Sequence, residues 1–181
     1  MMRNFFYLLL ICLTSFSLIS WNTGGDSSMI AKYIQKKVRK EITSVFDAEQ
    51  FTLDAKSLEI KSHPFLIEHS LFQIKNNDQA LGYAFLGTAP SKTDAFDYLV
   101  LFDTDLNLKK AKVLVYREDY GGEIANKRWL SQFISHPKDS PFVYGESISA
   151  ISGATISVQS MTQSLNYVLE NLRAYKTQDL L

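Results

Sequence analysis

The sequence predicts an α+β domain, an antiparallel sheet flanked by helices, with an N-terminal hydrophobic anchor or signal segment ahead of it. Two pairs of strand-like runs meet at polar turns in the middle of the chain, amphipathic helical periodicities stand before and after them, and an uncharged apolar run opens the sequence. At 181 residues, 46% hydrophobic and 21% charged, the chain is large and apolar enough to bury one core without a disulfide or a structural metal. The expected organisation is a signal peptide or membrane anchor over residues 1–22, a linker and amphipathic helix over 23–50, and the main domain over 51–181.

The N-terminal run follows Arg3 and extends over residues 5–20 without a charge. Sixteen helical residues span about 24 Å, less than the roughly 30 Å hydrocarbon core, and Thr14, Ser15 and Ser17 dilute the hydrophobicity. A signal-peptide core and a short uncleaved anchor both fit, and the lack of an obvious small-x-small site after Ser20 favours the anchor. Cys12, the single cysteine, lies in this run behind bulky Ile11, where a lipoprotein signal needs a small residue, and reads as one more apolar side chain. No thiol follows it, which excludes iron–sulfur ligation, a cysteine zinc site, an internal disulfide and a thiol nucleophile in the remainder. The balance of 19 Lys+Arg against 19 Asp+Glu argues against a nucleic-acid binder. Lys32, Lys36, Lys37, Arg39 and Lys40 after the run outnumber Arg3 before it, which by simple counting keeps the C-terminal part cytoplasmic. The ten residues directly after the run carry only Asp26, however, and the cationic cluster belongs to a helix of the domain, so export is expected.

That helix follows a short Gly/Ser/Asn/Asp linker, with Ser27 or Ser28 as N-cap. Ile30, Tyr33, Ile34, Val38, Ile42, Val45 and Phe46 recur at helical spacing over about 18 residues. Residues 71–75 and 81–86 alternate around Asn76, Asn77 and Asp78, and residues 98–102 and 112–116 flank a second polar turn at 103–107. Two successive hairpins make a meandering antiparallel sheet. His63, His69 and His136 share no metal-ligand spacing and read as surface or capping residues. Gly121 and Gly122 then break the pattern, a helix carries Trp129, Leu130, Phe133 and Ile134 up to His136-Pro137, and a last helix presents Met161, Leu165, Val168, Leu169 and Leu172 as its apolar stripe.

Residues 148–157 read Ile-Ser-Ala-Ile-Ser-Gly-Ala-Thr-Ile-Ser, a strand, a tight small-residue turn and a hydroxyl at a helix start. In one reading Thr155 or Ser157 is an N-cap and Gly153 supplies backbone freedom. In another, the helix N-terminus is an anion site that Gly153 and Ala154 leave open to a bulky ligand, with a hydroxyl available for esterification by a phosphate.

Ser152-Gly153-Ala154-Thr155-Ile156-Ser157 resembles the S-G-A-T-x-[ST] flavinylation motif of FMN-binding domains, such as the G subunit of Rnf complexes and the C subunit of sodium-pumping quinone reductases. The resemblance extends over residues 82–172. Gly82-Tyr83 stands where the family has a glycine and an aromatic or apolar residue. The strand over 111–116 runs into Glu118-Asp119-Tyr120-Gly121-Gly122-Glu123, where the family commonly has E-T-P-G-L-G, and Trp129 and Phe133 match aromatic positions of the helix that follows.

The resemblance implies FMN as cofactor, joined to Thr155 as a phosphoester by an extracytoplasmic flavin transferase. It implies a turn of Ser152, Gly153 and Ala154 lining the phosphate, with Ser157 as the motif's last hydroxyl. Glu118, Tyr120, Gly121 and Gly122 would lie against the ring, Tyr120 stacking and Glu118 hydrogen-bonding. The implied protein sits on the extracytoplasmic, periplasmic side of the membrane and relays electrons from a membrane redox partner protein, as a redox subunit with no catalytic residue of its own. Two positions depart from the family. Ser149 replaces the aspartate six residues before the modified threonine, and the loop at 118–123 keeps one acid and one glycine of its family counterpart. The alternative is an exported binding or assembly module on the same scaffold that has lost the flavin. A hydrolase using Ser152 or Ser157 lacks a recognisable His and acid partner.

Overall fold

The structure, a computed structural model, describes residues 27–57, 63–137 and 140–181. The expected anchor or signal segment, with Arg3 and Cys12, lies outside the described residues, and no described helix is long and apolar enough to cross a membrane. Helix α1 (Ser27–Phe46) leads into strands β1 (Thr52–Lys56), β2 (Glu68–Asn76), β3 (Gln79–Pro90), β4 (Ala95–Asp103) and β5 (Leu108–Val115). A 3-10 turn (Gly122–Ala125), α2 (Lys127–Ile134) and α3 (Thr155–Thr177) complete the chain. Both Ser27 and Ser28 fall within α1 rather than ahead of it.

The strands pair antiparallel in the order β1-β2-β3-β4-β5, a meander that includes both expected hairpins. Asn77 and Asp78 alone separate β2 from β3, with φ of 46° and 66°. A two-residue hairpin turn of type I′ needs positive φ at both positions, and Asn and Asp tolerate it best after glycine. The β4–β5 turn is closed by Asp103, whose carboxylate accepts hydrogen bonds from the Asp105 amide (3.0 Å) and from the Asn107 amide and side chain (both 2.9 Å). Strand β1, TLDAK, escaped the sequence reading because it is an edge strand with no buried residue and hence little periodicity.

Both faces of the sheet are covered. Phe85, Phe96, Tyr98, Val100 and Phe102 point to the face that α2 and α3 pack on, whereas Ile74, Ala84, Leu99, Leu101 and Leu114 point to Val38 and Ile42 of α1. Double coverage explains why residues 98–102 read as an unbroken apolar run. Helix α1 is further tied to β5 by Glu41, which pairs with Lys112 and with Lys110 at 3.2 Å, and by a hydrogen bond from Lys37 Nζ to the Leu114 carbonyl (2.9 Å). Burial pushes the Glu41 carboxyl up, but the hydrogen bonds from Lys112 and Lys110 and their charges leave it below its usual value.

His63 caps a local turn, its Nδ1 accepting the Phe65 amide at 3.4 Å, and its half-buried ring also stacks on Tyr167, with centroids 4.2 Å apart. His69 is half-buried and stacks on Phe85, in place of the surface or capping role expected of it. His136 does close a loop, through Nε2 and the Pro141 carbonyl at 3.0 Å. Among the described residues no cluster of His, Cys, Asp or Glu is placed to hold a metal ion.

Tyr98 joins the sheet to the helix that carries the motif. It is fully buried, lies opposite Gly87 on β3, and shares a hydrogen bond with Ser164 of α3. A Cβ on Gly87 would stand 2.5 Å from the Tyr98 ring. Gly87→Ala therefore forces the ring off Ser164 and is expected to cost about 2 kcal/mol in urea unfolding, whereas Tyr98→Phe, which removes only the hydroxyl bond, is expected to cost about 1 kcal/mol.

Candidate functional site

The motif turn forms where the chain enters α3. Gly153 takes φ of 77°, a left-handed conformation that glycine adopts without the steric cost of a Cβ. The Ala154 amide donates to the Ile151 carbonyl (3.1 Å), and the Ala154 carbonyl accepts the first helical hydrogen bond, from Val158 (2.9 Å). Ala154 is thus the N-cap, and it brings no side-chain oxygen. Thr155 is the first helical residue, and Ser157 is the third, buried, with its Oγ 3.1 Å from the Tyr116 hydroxyl. Neither is the cap that local sequence suggests, because a capping oxygen must stand on the residue before the helix. The first-turn amides of α3 consequently lack a side-chain acceptor, and no acid occupies that turn. The strand expected at the start of the segment is not formed either. Only an isolated bridge joins Tyr144 to Ile148.

Side chains of α2 do the work that a strand would have done. Trp129 Nε1 donates to the Ser149 carbonyl (2.9 Å), and the Ser149 amide donates to Gln132 Oε1 (2.9 Å), while Gln132 Nε2 reaches back to the Trp129 carbonyl (2.8 Å). Ser149 itself is exposed, held at a fixed place by its backbone, and Ile148 and Ile151 on either side are buried.

The loop after β5 lies directly on the motif turn. Gly121, with φ of 75°, comes so close that a Cβ there would sit 2.4 Å from the Ala154 Cβ. A Cβ on Gly153 would stand 3.5 Å from the Tyr120 Cβ. Tyr120 is 78% exposed beside the turn, and Ser152 is exposed within it. Gly122 stands apart, with nothing within 4 Å of the position its Cβ would take.

On the other side of Thr155 a cleft of about 210 Å³ opens between Lys92, Tyr116, Glu118 and residues 153–157. Glu118 faces the β3–β4 turn. Its Oε1 accepts the amides of Thr93 (2.6 Å) and Asp94 (3.2 Å), and its Oε2 accepts the Thr93 hydroxyl (2.8 Å). The Thr93 amide foremost holds its carboxyl down to about 2. The carboxylate is thus committed to a protein turn rather than left free for a ring edge.

Of the residues singled out by sequence, Glu118, Gly153, Ala154, Thr155 and Ser157 meet at this cleft. Tyr120 and Gly121 pack on the turn beside it, Ser152 is exposed next to it, and Gly122 takes no part in the packing. Lys92 and Tyr116 were missed. Tyr116 directly follows β5, whose alternation extends to it, but a lysine in a hairpin turn carries no spacing that links it to residue 155.

Gly121→Ala is expected to push the loop off Ala154 and destabilise the fold by about 2 kcal/mol in urea unfolding, and Gly122→Ala to change it by less than about 0.5 kcal/mol. Glu118 adds a pH dependence. Its folded value of about 2 lies below the ordinary 4.5, so its contribution to stability is complete above about 4.5 and is lost as pH falls toward 2. Urea midpoints measured across that window are expected to fall less in Glu118→Gln than in the native protein.

Residues 93–170 match the family model for the FMN-binding domain. No curated protein matches the chain. The site fits the cofactor on its own chemistry, with a small-residue turn that admits bulk, an uncapped helix start for a phosphate, and the exposed Tyr120 and Ile156 beside it for a flat apolar ring. The segment at residues 93–170 is thus similar to the FMN-binding domain family, and that match indicates FMN as its cofactor.

Proposed function

We propose that this protein is an extracytoplasmic, membrane-associated flavoprotein that carries FMN as a phosphoester on Thr155 and relays electrons in a membrane-linked redox chain. The observation that carries this reading is the placement of Thr155. Its hydroxyl is on an exposed residue, at the first position of a helix whose cap offers no competing oxygen, and beside a turn of Ser152, Gly153 and Ala154 that leaves the approach open. A flavin transferase needs such access, because the Thr155 oxygen must attack the flavin-side phosphorus of a dinucleotide donor, losing its proton as the P–O bond of the pyrophosphate breaks and the donor's nucleoside monophosphate leaves. Ser157 has no such access. It is buried and bonded to Tyr116, and its part is to fix the floor of the cleft.

When bound, FMN supplies the electron transfer, and the protein sets its surroundings. Tyr120 offers an exposed aromatic face beside Gly153, and Ile156 an apolar one beside Thr155. Gly121 and Ala154 hold those two walls at a fixed separation, and Glu118 keeps the β3–β4 turn at the cleft mouth. The extracytoplasmic placement is supported by the apolar run at residues 5–20 and by the likeness to exported flavin carriers, and attachment at a membrane surface fits a membrane redox partner protein. Covalent attachment suits that side of a membrane, where a dissociable cofactor would be lost.

Intact mass and peptide mapping of the chain co-expressed with a flavin transferase test the reading. The expected result is the gain of one FMN less water, localised to Thr155, with complete loss of covalent flavin in Thr155→Val. Ser157→Ala is expected to keep the covalent flavin and lose about 1 kcal/mol of stability through the broken Tyr116 bond. Covalent flavin retained in Thr155→Val would refute the attachment site.

A further inference from the structure

The cleft holds a cation that the motif does not account for. Lys92 lies on the β3–β4 turn, one residue before the segment that matches the family, and lines the same cleft as Thr155. Its side chain is exposed and makes no hydrogen bond or ion pair with the described residues. The turn that carries it is nevertheless fixed on both flanks. The Ser91 amide donates to the Asp94 carbonyl (2.8 Å), Glu118 takes the Thr93 and Asp94 donors, and Arg117 donates to the Ala95 carbonyl (2.9 Å) and to Asp97 (2.6 Å).

A lysine on a free loop gains little from an anion, because ordering loop and side chain together offsets the attraction. At Lys92 the backbone share of that cost is already met within the fold. The other charged group on the cleft, Glu118, spends both oxygens on the turn and forms no ion pair with Lys92, so the ammonium is left for a ligand. A free FMN phosphate carries nearly two negative charges near neutral pH and about one once esterified. Across the cleft, the first turn of α3 has neither an acid to repel such a group nor a cap to fill its place.

We propose that Lys92 is the cation that receives the FMN phosphate beside Thr155, with Glu118 as the positioning residue that fixes its turn. The proposal rests on the assignment of Thr155 as attachment site, and the two fail differently. The full chain prepared without transferase is titrated with FMN and with riboflavin, which has the same ring and no phosphate. Native protein is expected to prefer FMN. Lys92→Met is expected to lower FMN affinity about three- to tenfold and leave riboflavin affinity unchanged, with most of the FMN affinity restored in Lys92→Arg. Added salt should weaken FMN binding to the native chain more than to Lys92→Met. Glu118→Gln should lower FMN affinity in the same direction and by less.

Equal FMN affinities in native and Lys92→Met chains, or a parallel loss of riboflavin, overturn the proposal. A second measurement needs no binding equilibrium. In the covalently loaded protein the phosphorus NMR resonance of the phosphoester is expected to move in Lys92→Met, and an unmoved resonance overturns the proposal. Thr155→Val separates the two readings. Loss of covalent flavin with the FMN-over-riboflavin preference intact supports both. Covalent flavin retained in Thr155→Val removes the attachment assignment and with it the site that Lys92 is meant to serve. A preference that survives Lys92→Met removes Lys92 alone.

Discussion

The approach of Gly121 to Ala154 is the contact on which the site depends. Two backbones meet there with no room for even a methyl on the glycine, and each belongs to a different part of the chain: one to the loop leaving β5, the other to the turn entering α3. Their separation sets where Tyr120 stands relative to Gly153 and where Glu118 can reach back to the β3–β4 turn. A position of this kind demands glycine twice over, for the positive φ and for the absent side chain. Gly122, its neighbour, meets neither demand. The Gly-Gly pair that looks like a single flexible joint in the sequence is one packed residue and one open one.

Charge at the cleft is divided in the same economical way. Glu118, the residue that the family resemblance puts against the ring, spends its carboxylate on three donors of a hairpin turn. Arg117, one residue earlier, grips the start of β4 from the same strand end. Two successive residues of opposite charge thus bind one turn to the end of β5 and carry Lys92 to the cleft with it.

The sequence made the hairpins and helices legible because each obeys one period. The Asn77-Asp78 turn, the stripe from Met161 to Leu172 and the α2 aromatics all stand where alternation or helical spacing places them. Elements held by side chains left no such trace. The segment at 148–151 reads as a strand by its short run of small and apolar residues before a turn, yet the Ser149 backbone bonds to Trp129 and Gln132 of a helix rather than to a neighbouring strand. The capping error has a similar origin. Hydroxyls at Thr155 and Ser157 look like caps, but the helix begins at Thr155, so the cap position falls on Ala154. Lys92 was invisible because its relation to Thr155 exists only after two hairpins and a crossing helix have folded.

In the proposed reading, an attachment residue at the first position of α3 has a mechanical consequence for electron transfer. Ten of the 23 residues of that helix are buried, and it is keyed to the centre of the sheet by the Tyr98–Ser164 bond and by Val158, Met161, Leu165 and Val168 in the core. A group joined to Thr155 therefore starts from one of the most firmly held points of the molecule, while Thr155 itself remains exposed. Electron transfer requires both properties: a fixed frame, so that little reorganisation accompanies a change of charge, and exposure, so that a partner can come close. A dissociable flavin in an open cleft of about 210 Å³ would satisfy the second at the expense of the first. In the proposed reading the phosphoester resolves that conflict, since the covalent bond retains the cofactor and the cleft needs only to orient it.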